Sequence, residues 1–168
     1  MKSLLCAARA ALIALSFTAV TANASVLIAG TRVVFPAQDG EVTVRLSNDN
    51  DHPALVEAWI DDGDPKSTPD KVSVPFLITP PLFRMEAHKD QDLRILSTPA
   101  HLPSDRESLF WLNVLEVPPK PTGPQFEGKN TLQFAIRSRL KLFYRPANLP
   151  GDPNKAAQQV TWKAVADG

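Results

Sequence analysis

Sixteen prolines and seven glycines, all after residue 24, cut the chain into short apolar runs. No run shows helical periodicity over the length a stable helix needs, and several alternate with a period of two, as half-buried strands do. "EVTVRLSN" puts Val42, Val44 and Leu46 on one face. "VLIAGTRVVFP" reads as one strand kinked at Gly30 and stopped by Pro36, and "ALVEAWID" follows the "NDNDHP" turn. "FLITPPLFRME" is interrupted by Pro80-Pro81 and reads as two short extended pieces. "QDLRILST", "SLFWLNVLEVPP" and a long final strand, "NTLQFAIRSRLKLFYRP", complete the set. The segments "DDGDPKSTPDK" and "KPTGPQFEGK" are polar loops, and "PSDRES" can hold at most one helical turn. About seven strands at this spacing predict an all-β chain folded as a seven-stranded immunoglobulin-like β-sandwich, with Trp59 on the third strand as a core residue.

The first 24 residues stand apart. Lys2 and Arg9 precede an apolar stretch from Ala11 to Val20, and the segment ends at Ala22-Asn23-Ala24. That order predicts a secretory signal peptide cut after Ala24; the apolar stretch is short of the ~20 residues that span a bilayer. The expected mature chain loses Lys2 and Arg9 from 18 basic residues, leaving 16 against 18 acidic, a net charge of −2. Such a balance argues against a coat for nucleic acid or for an anionic membrane. The only cysteine, Cys6, lies in the signal, so the exported chain is held by an ordinary core without a disulfide. After Pro146, "ANLPGDPNKAAQQ" reads as a linker over 147–158, and 159–168 as the first strand of a second domain that is otherwise missing. A lone strand has nothing to pair with and cannot form a domain.

No constellation of residues supports catalysis. His52, His88 and His101 sit in separate turns without metal-ligand spacing. Asp61, Asp62 and Asp64 lack the spacing and terminal glutamate of an EF-hand, and read as a solvated turn. No nucleophile elbow and no phosphate-cradling glycine loop is present. The expectation is a non-enzymatic protein with no metal and no cofactor.

The last strand carries an unusual pair of features. Leu132, Phe134 and Ile136 share one face, and then Arg137, Arg139, Lys141 and Arg145 crowd in. Alternation alone does not decide whether the apolar stripe faces the home core or a partner.

At "LPSDRESLFWLNVLEVPP", residues 102–119, the sequence resembles the signature of the periplasmic pilus (fimbrial) chaperones of the chaperone–usher pathway. Glu107, Ser108, Phe110, Trp111, Asn113, Val117, Pro118 and Pro119 carry the match, and "GTRVVFP", "LSNDNDHPALVEAWID" and "KLFYRP" extend it over Val26 to Pro146. The resemblance implies a periplasmic protein that binds pilin subunits, themselves sandwiches lacking their last strand. It donates its own last strand to fill the gap and delivers the subunit to an outer-membrane usher. It implies that Leu132, Phe134 and Ile136 fill the subunit's groove, and that Arg32 and Lys141 hold the subunit's terminal carboxylate. Glu107 and Arg145 would form a structural ion pair that also involves the second domain, whose absence would impair the cleft. The short loop before the last strand and the lack of cysteine resemble the short-loop subgroup. No nucleic acid and no membrane insertion is expected. The alternative is a secreted immunoglobulin-like structural or adhesive module, in which the stripe faces inward.

Two details bear on this reading. Lys141 is of opposite parity to the stripe, so a bulge must lie between Ile136 and Lys141 or the two use different faces. Arg137 and Arg139 share the parity of Lys141 and are expected as solvated charges that guard a strand edge.

Overall fold

The computed structural model describes residues 26–151 and 153–163; the expected signal peptide with Cys6 and the last five residues lie outside that range. Nine strands are present among the described residues: β1 (Val26–Ile28), β2 (Arg32–Pro36), β3 (Glu41–Asn48), β4 (Ala54–Asp61), β5 (Phe76–Thr79), β6 (Leu82–Met85), β7 (Asp90–Ser97), β8 (Ser108–Val117) and β9 (Ile136–Arg145). They form two sheets, a four-stranded one ordered β1-β3-β7-β5 and a five-stranded one ordered β2-β9-β8-β4-β6. All pairings are antiparallel except that of β2 with β9. The fold is an immunoglobulin-like β-sandwich.

The count exceeds seven because two runs each serve both sheets. "VLIAGTRVVFP" leaves β1 at Gly30, whose φ of 89° lies in the left-handed region, and crosses to β2. Glycine takes that conformation without the Cβ penalty other residues meet. "FLITPPLFRME" divides at Pro80-Pro81, two residues without an N–H to give to a ladder. β5 then stays with β7 while β6 joins β4.

The core lies between the sheets. Phe35, Leu46, Leu93, Ile95, Leu112 and Leu142 are wholly buried. At one end the rings of Phe35, Phe76, Phe110 and Tyr144 meet at centroid separations of 5.0–6.1 Å, within the range of favourable aromatic pairs. Along β4, Val56, Ala58 and Ile60 belong to this core. Trp59 does not: its parity turns it to the outer face of the five-stranded sheet. It is buried there all the same, with its indole N–H donated to Ser67 Oγ at 3.1 Å. The expectation of a core tryptophan holds for burial and fails for location, because the loop after β4 covers that outer face.

Three local expectations also change. The last strand begins at Ile136 rather than Asn130, and residues 131–135 belong to no strand. "PSDRES" forms bends without a helical turn. A short helix, α1 (Pro153–Ala156), followed by a 3-10 turn at Ala157–Gln159, occupies part of the expected linker, and no strand forms over the described residues 160–163.

Candidate functional site

β9 lies second in the five-stranded sheet but is not enclosed along its whole length. β8 pairs with it from Ile136 to Tyr144. On its other side β2 pairs only from Lys141 to Arg145, starting with Arg32 opposite Lys141. Ile136 to Leu140 is therefore an open sheet edge among the described residues. Unpaired N–H and C=O groups on such an edge can accept another strand.

The apolar stripe leads into this edge and is out in solvent. Leu132 is 80 % exposed, Phe134 69 % and Ile136 53 %. A groove of about 400 Å³ runs beside the edge, lined by Val26, Leu27 and Ile28 of β1, Gly30, and Ile136, Ser138 and Leu140 of β9. Gln133 ties the approach to the body of the domain by donating from Nε2 to Pro119 O at 2.6 Å.

The β8–β9 register is unbroken from Glu116↔Ile136 to Ser108↔Tyr144, so no bulge lies between Ile136 and Lys141. Leu140 and Leu142 continue the parity of the stripe and are buried. Arg137, Arg139 and Lys141 face the opposite, outer surface of the sheet. Ile136, the stripe residue that lies on β9, and Lys141 thus use different faces of one strand.

Arg137 and Arg139 are not the solvated edge charges their parity suggested. Both fold over the outer face onto Asp61, which is wholly buried there. Asp61 Oδ1 accepts from Arg139 at 2.5 Å and from the Gly63 N–H at 2.7 Å. Its Oδ2 accepts from Asn113 Nδ2 at 2.7 Å and Ser67 Oγ at 2.9 Å. Arg137 donates to Asn113 Oδ1 at 2.6 Å, to Ser67 Oγ at 3.2 Å and to Pro65 O at 2.9 Å, with its guanidinium 4.7 Å above the Trp59 ring. Burial works to raise the Asp61 carboxyl, but the bonds from Arg139, Asn113, the Gly63 N–H and Ser67 outweigh it and hold the group below its ordinary 3.8. The expected solvated turn therefore describes Asp62 and Asp64, which are exposed, and not Asp61. No sequence rule would have marked Asp61, since its partner Arg139 lies 78 residues away. The sole local signal was an acid at the end of a strand beside a tryptophan.

Two cations remain without an acidic partner among the described residues of this region: Arg32 and Lys141. Both are exposed, on neighbouring strands, at the point where β2 closes the edge of β9. The Lys141 ammonium lies 5.8 Å from the centre of the Trp111 ring. Glu107 and Arg145 meet as an ion pair at 2.5 Å, with side chains 30 % and 28 % exposed. They border a cavity of about 350 Å³ whose other wall includes Leu149, Pro150, Ala156 and Gln159.

The histidines stay apart. His52 and His101 are exposed, and His88 meets Asp51 at 3.0 Å. No group of three or more His, Cys, Asp or Glu able to hold a metal occurs among the described residues, and no described helix is long and apolar enough to cross a membrane.

Residues 25–150 match the family described as "Pili and flagellar-assembly chaperone, PapD N-terminal domain". The chain is 53 % identical over 158 residues to the chaperone protein FimB/FhaD of Bordetella pertussis, covering 92 % of this chain and 64 % of that one. The crystal structure of the Pseudomonas aeruginosa CupB2 chaperone superposes with a TM-score of 0.70 at 47 % identity, over 82 % of this chain and 63 % of the other. A structure of the Salmonella enterica SafA pilin in complex with the SafB chaperone superposes with a TM-score of 0.72 at 32 % identity, over 88 % of this chain and 67 % of that chain. The chain spans less than two thirds of the length of the curated relatives named first among its matches.

Proposed function

The chain belongs to the chaperones of the chaperone–usher pathway that share the PapD-type N-terminal domain, and on that premise we propose that it binds pilin subunits by adding β9 to their incomplete sandwiches. One observation carries the reading: β9 has an open edge from Ile136 to Leu140, entered by an exposed apolar stripe and closed at Arg32 and Lys141. A subunit strand laid along this edge, running parallel to β9 as β2 does, meets the start of β2 after Leu140 and can go no further. Its terminal carboxylate then lies beside two cations that have no acid of their own. The edge supplies main-chain hydrogen bonds common to any extended segment. Leu132, Phe134 and Ile136 insert into the subunit's groove, and the cations set the register. The exposure of the stripe weighs against a self-contained immunoglobulin-like module, which would turn it inward.

In this reading residues 1–24 are the cleaved signal that takes the chain to the periplasm, and 25–146 form the subunit-binding domain. Residues 147–158 lead to a second domain that begins at 159. The Glu107–Arg145 pair stiffens the end of β9 where that domain would pack, and delivery to an outer-membrane usher follows binding. The chemistry is non-covalent throughout and uses no cofactor.

The test is periplasmic co-expression with the cognate pilin subunit. Co-purification is expected for the unmodified chain and is lost on Lys141→Ala or Arg32→Ala. If both variants retain the subunit in full, the carboxylate anchor is misassigned; if the unmodified chain retains none while a version carrying a full second domain does, this stretch of chain alone is not a functional chaperone.

A further inference from the structure

We propose that Trp111 is a positioning residue for Lys141, held in place by the Asp61–Arg139 pair; the inference rests on the reading of Lys141 as the carboxylate anchor. Lysine is a point charge on a flexible four-carbon stem, so an exposed lysine samples many positions unless something holds it. Trp111 lies directly across from Lys141 in the β8–β9 register, and its indole lies close enough to the ammonium to do so. At 5.8 Å from the ring centre the ammonium is within the ~6 Å reach of a cation–π contact.

The same ring already carries Arg139, whose guanidinium lies 4.5 Å from its centre. Two like charges two residues apart on one strand face would ordinarily repel one another. Here Asp61 neutralises Arg139 at 2.5 Å and pins it from the far side. The ring therefore meets one compensated cation and one uncompensated cation. Arg139 Nε is buried without a hydrogen-bond acceptor among the described residues, so on that side the guanidinium rests against its surroundings through packing, and the indole is part of them. The order is thus loop, Asp61, Arg139, Trp111, Lys141. The buried end is rigid through four hydrogen bonds to one carboxylate, and the exposed end is a lysine whose ammonium rests by the indole on the outer face, on the strand position where β2 begins to pair with β9.

A purely structural tryptophan and a positioning one differ in what they discriminate. The probe is a synthetic peptide of a pilin's terminal strand, made once with a free carboxylate and once as the terminal amide. Affinity for the two forms is compared by fluorescence anisotropy for the unmodified protein, Trp111→Leu, Trp111→Phe and Lys141→Ala. The unmodified protein is expected to prefer the acid. Trp111→Leu should reduce that preference about two- to fivefold, the range a partly exposed cation–π contact supports, with affinity for the amide unchanged. Trp111→Phe, which keeps an aromatic face, should retain most of the preference. Equal loss toward acid and amide in Trp111→Leu, or an unchanged ratio, overturns the positioning role. A Lys141→Ala protein that prefers the acid as strongly as the unmodified one overturns the role of Lys141 as anchor, a separable failure. Should Trp111→Leu not fold, the unmodified protein decides: the Lys141 Cε protons must show an upfield ring-current shift in NMR spectra, and its absence overturns the inference.

Discussion

Replacing Leu132 and Phe134 together by serine separates a home core from a surface built for a partner. Full burial of such a side chain stabilises by ~1.5–3 kcal/mol. Leu132 is 80 % exposed and Phe134 69 %, so most of that gain is unrealised in the free protein. Scaling by the exposed fraction leaves roughly 2–4 kcal/mol for the pair to gain on docking. At 1.4 kcal/mol per decade this is about 30- to 1,000-fold in affinity for the subunit. The same fractions leave little to lose in the free domain, and exposed substitutions ordinarily stay within about 0.5 kcal/mol. Urea unfolding of the double variant should therefore superpose on that of the unmodified protein, while subunit binding, measured by competition against a labelled terminal-strand peptide, falls by the stated factor. A drop in stability beyond about 1 kcal/mol would mean that the stripe packs at home, and unchanged binding would mean that no groove receives it.

Further expectations follow from the buried groups. Asp61→Asn leaves Arg139 without its counter-charge; because Arg139 keeps 22 % exposure, the cost should fall at or below the ~3–5 kcal/mol of a fully buried pair, read from chemical denaturation at neutral pH. The Asp61 carboxyl is held below 3.8 in the folded protein, so the unfolded chain binds the proton more readily; its stabilising share is complete above that value and is lost progressively as pH falls from there through the lower folded pKa. Denaturation between pH 3 and pH 7 should show this acid slope in the unmodified protein and a shallower one in Asp61→Asn. Leu142→Ala, at a wholly buried site on β9, should cost ~2–5 kcal/mol in the same assay. Glu107→Gln should cost less than about 1 kcal/mol in this chain, since the pair is partly solvated.

Much of the sandwich was legible in the residues. Alternation placed Val42, Val44 and Leu46 on one face, and the prolines located the ends of strands, because both follow from covalent geometry that no partner can alter. The same parity rule put Lys141 on the opposite face from Leu132, Phe134 and Ile136; the unbroken register upholds it for Ile136, while Leu132 and Phe134 precede the strand. What a face looks at is a different matter. Trp59 and Asp61 have outward parity on β4, yet both are buried, because the loop that follows and two arginines from β9 close over them. Arg137 and Arg139 looked like charges in water for the same reason.

The motif near Glu107 and Asn113 and the spacing of "KLFYRP" named the family from the sequence by itself, along with the residues to inspect. Only the tertiary structure decided that β2 begins opposite Lys141, that Ile136 to Leu140 is left as an open edge, and that Arg32 and Lys141 are the cations left without an acid there among the described residues. The physical reason is range. Parity and punctuation act between neighbours along the chain, whereas an edge is open or closed, and a charge free or paired, according to groups that folding brings in from a hundred residues away.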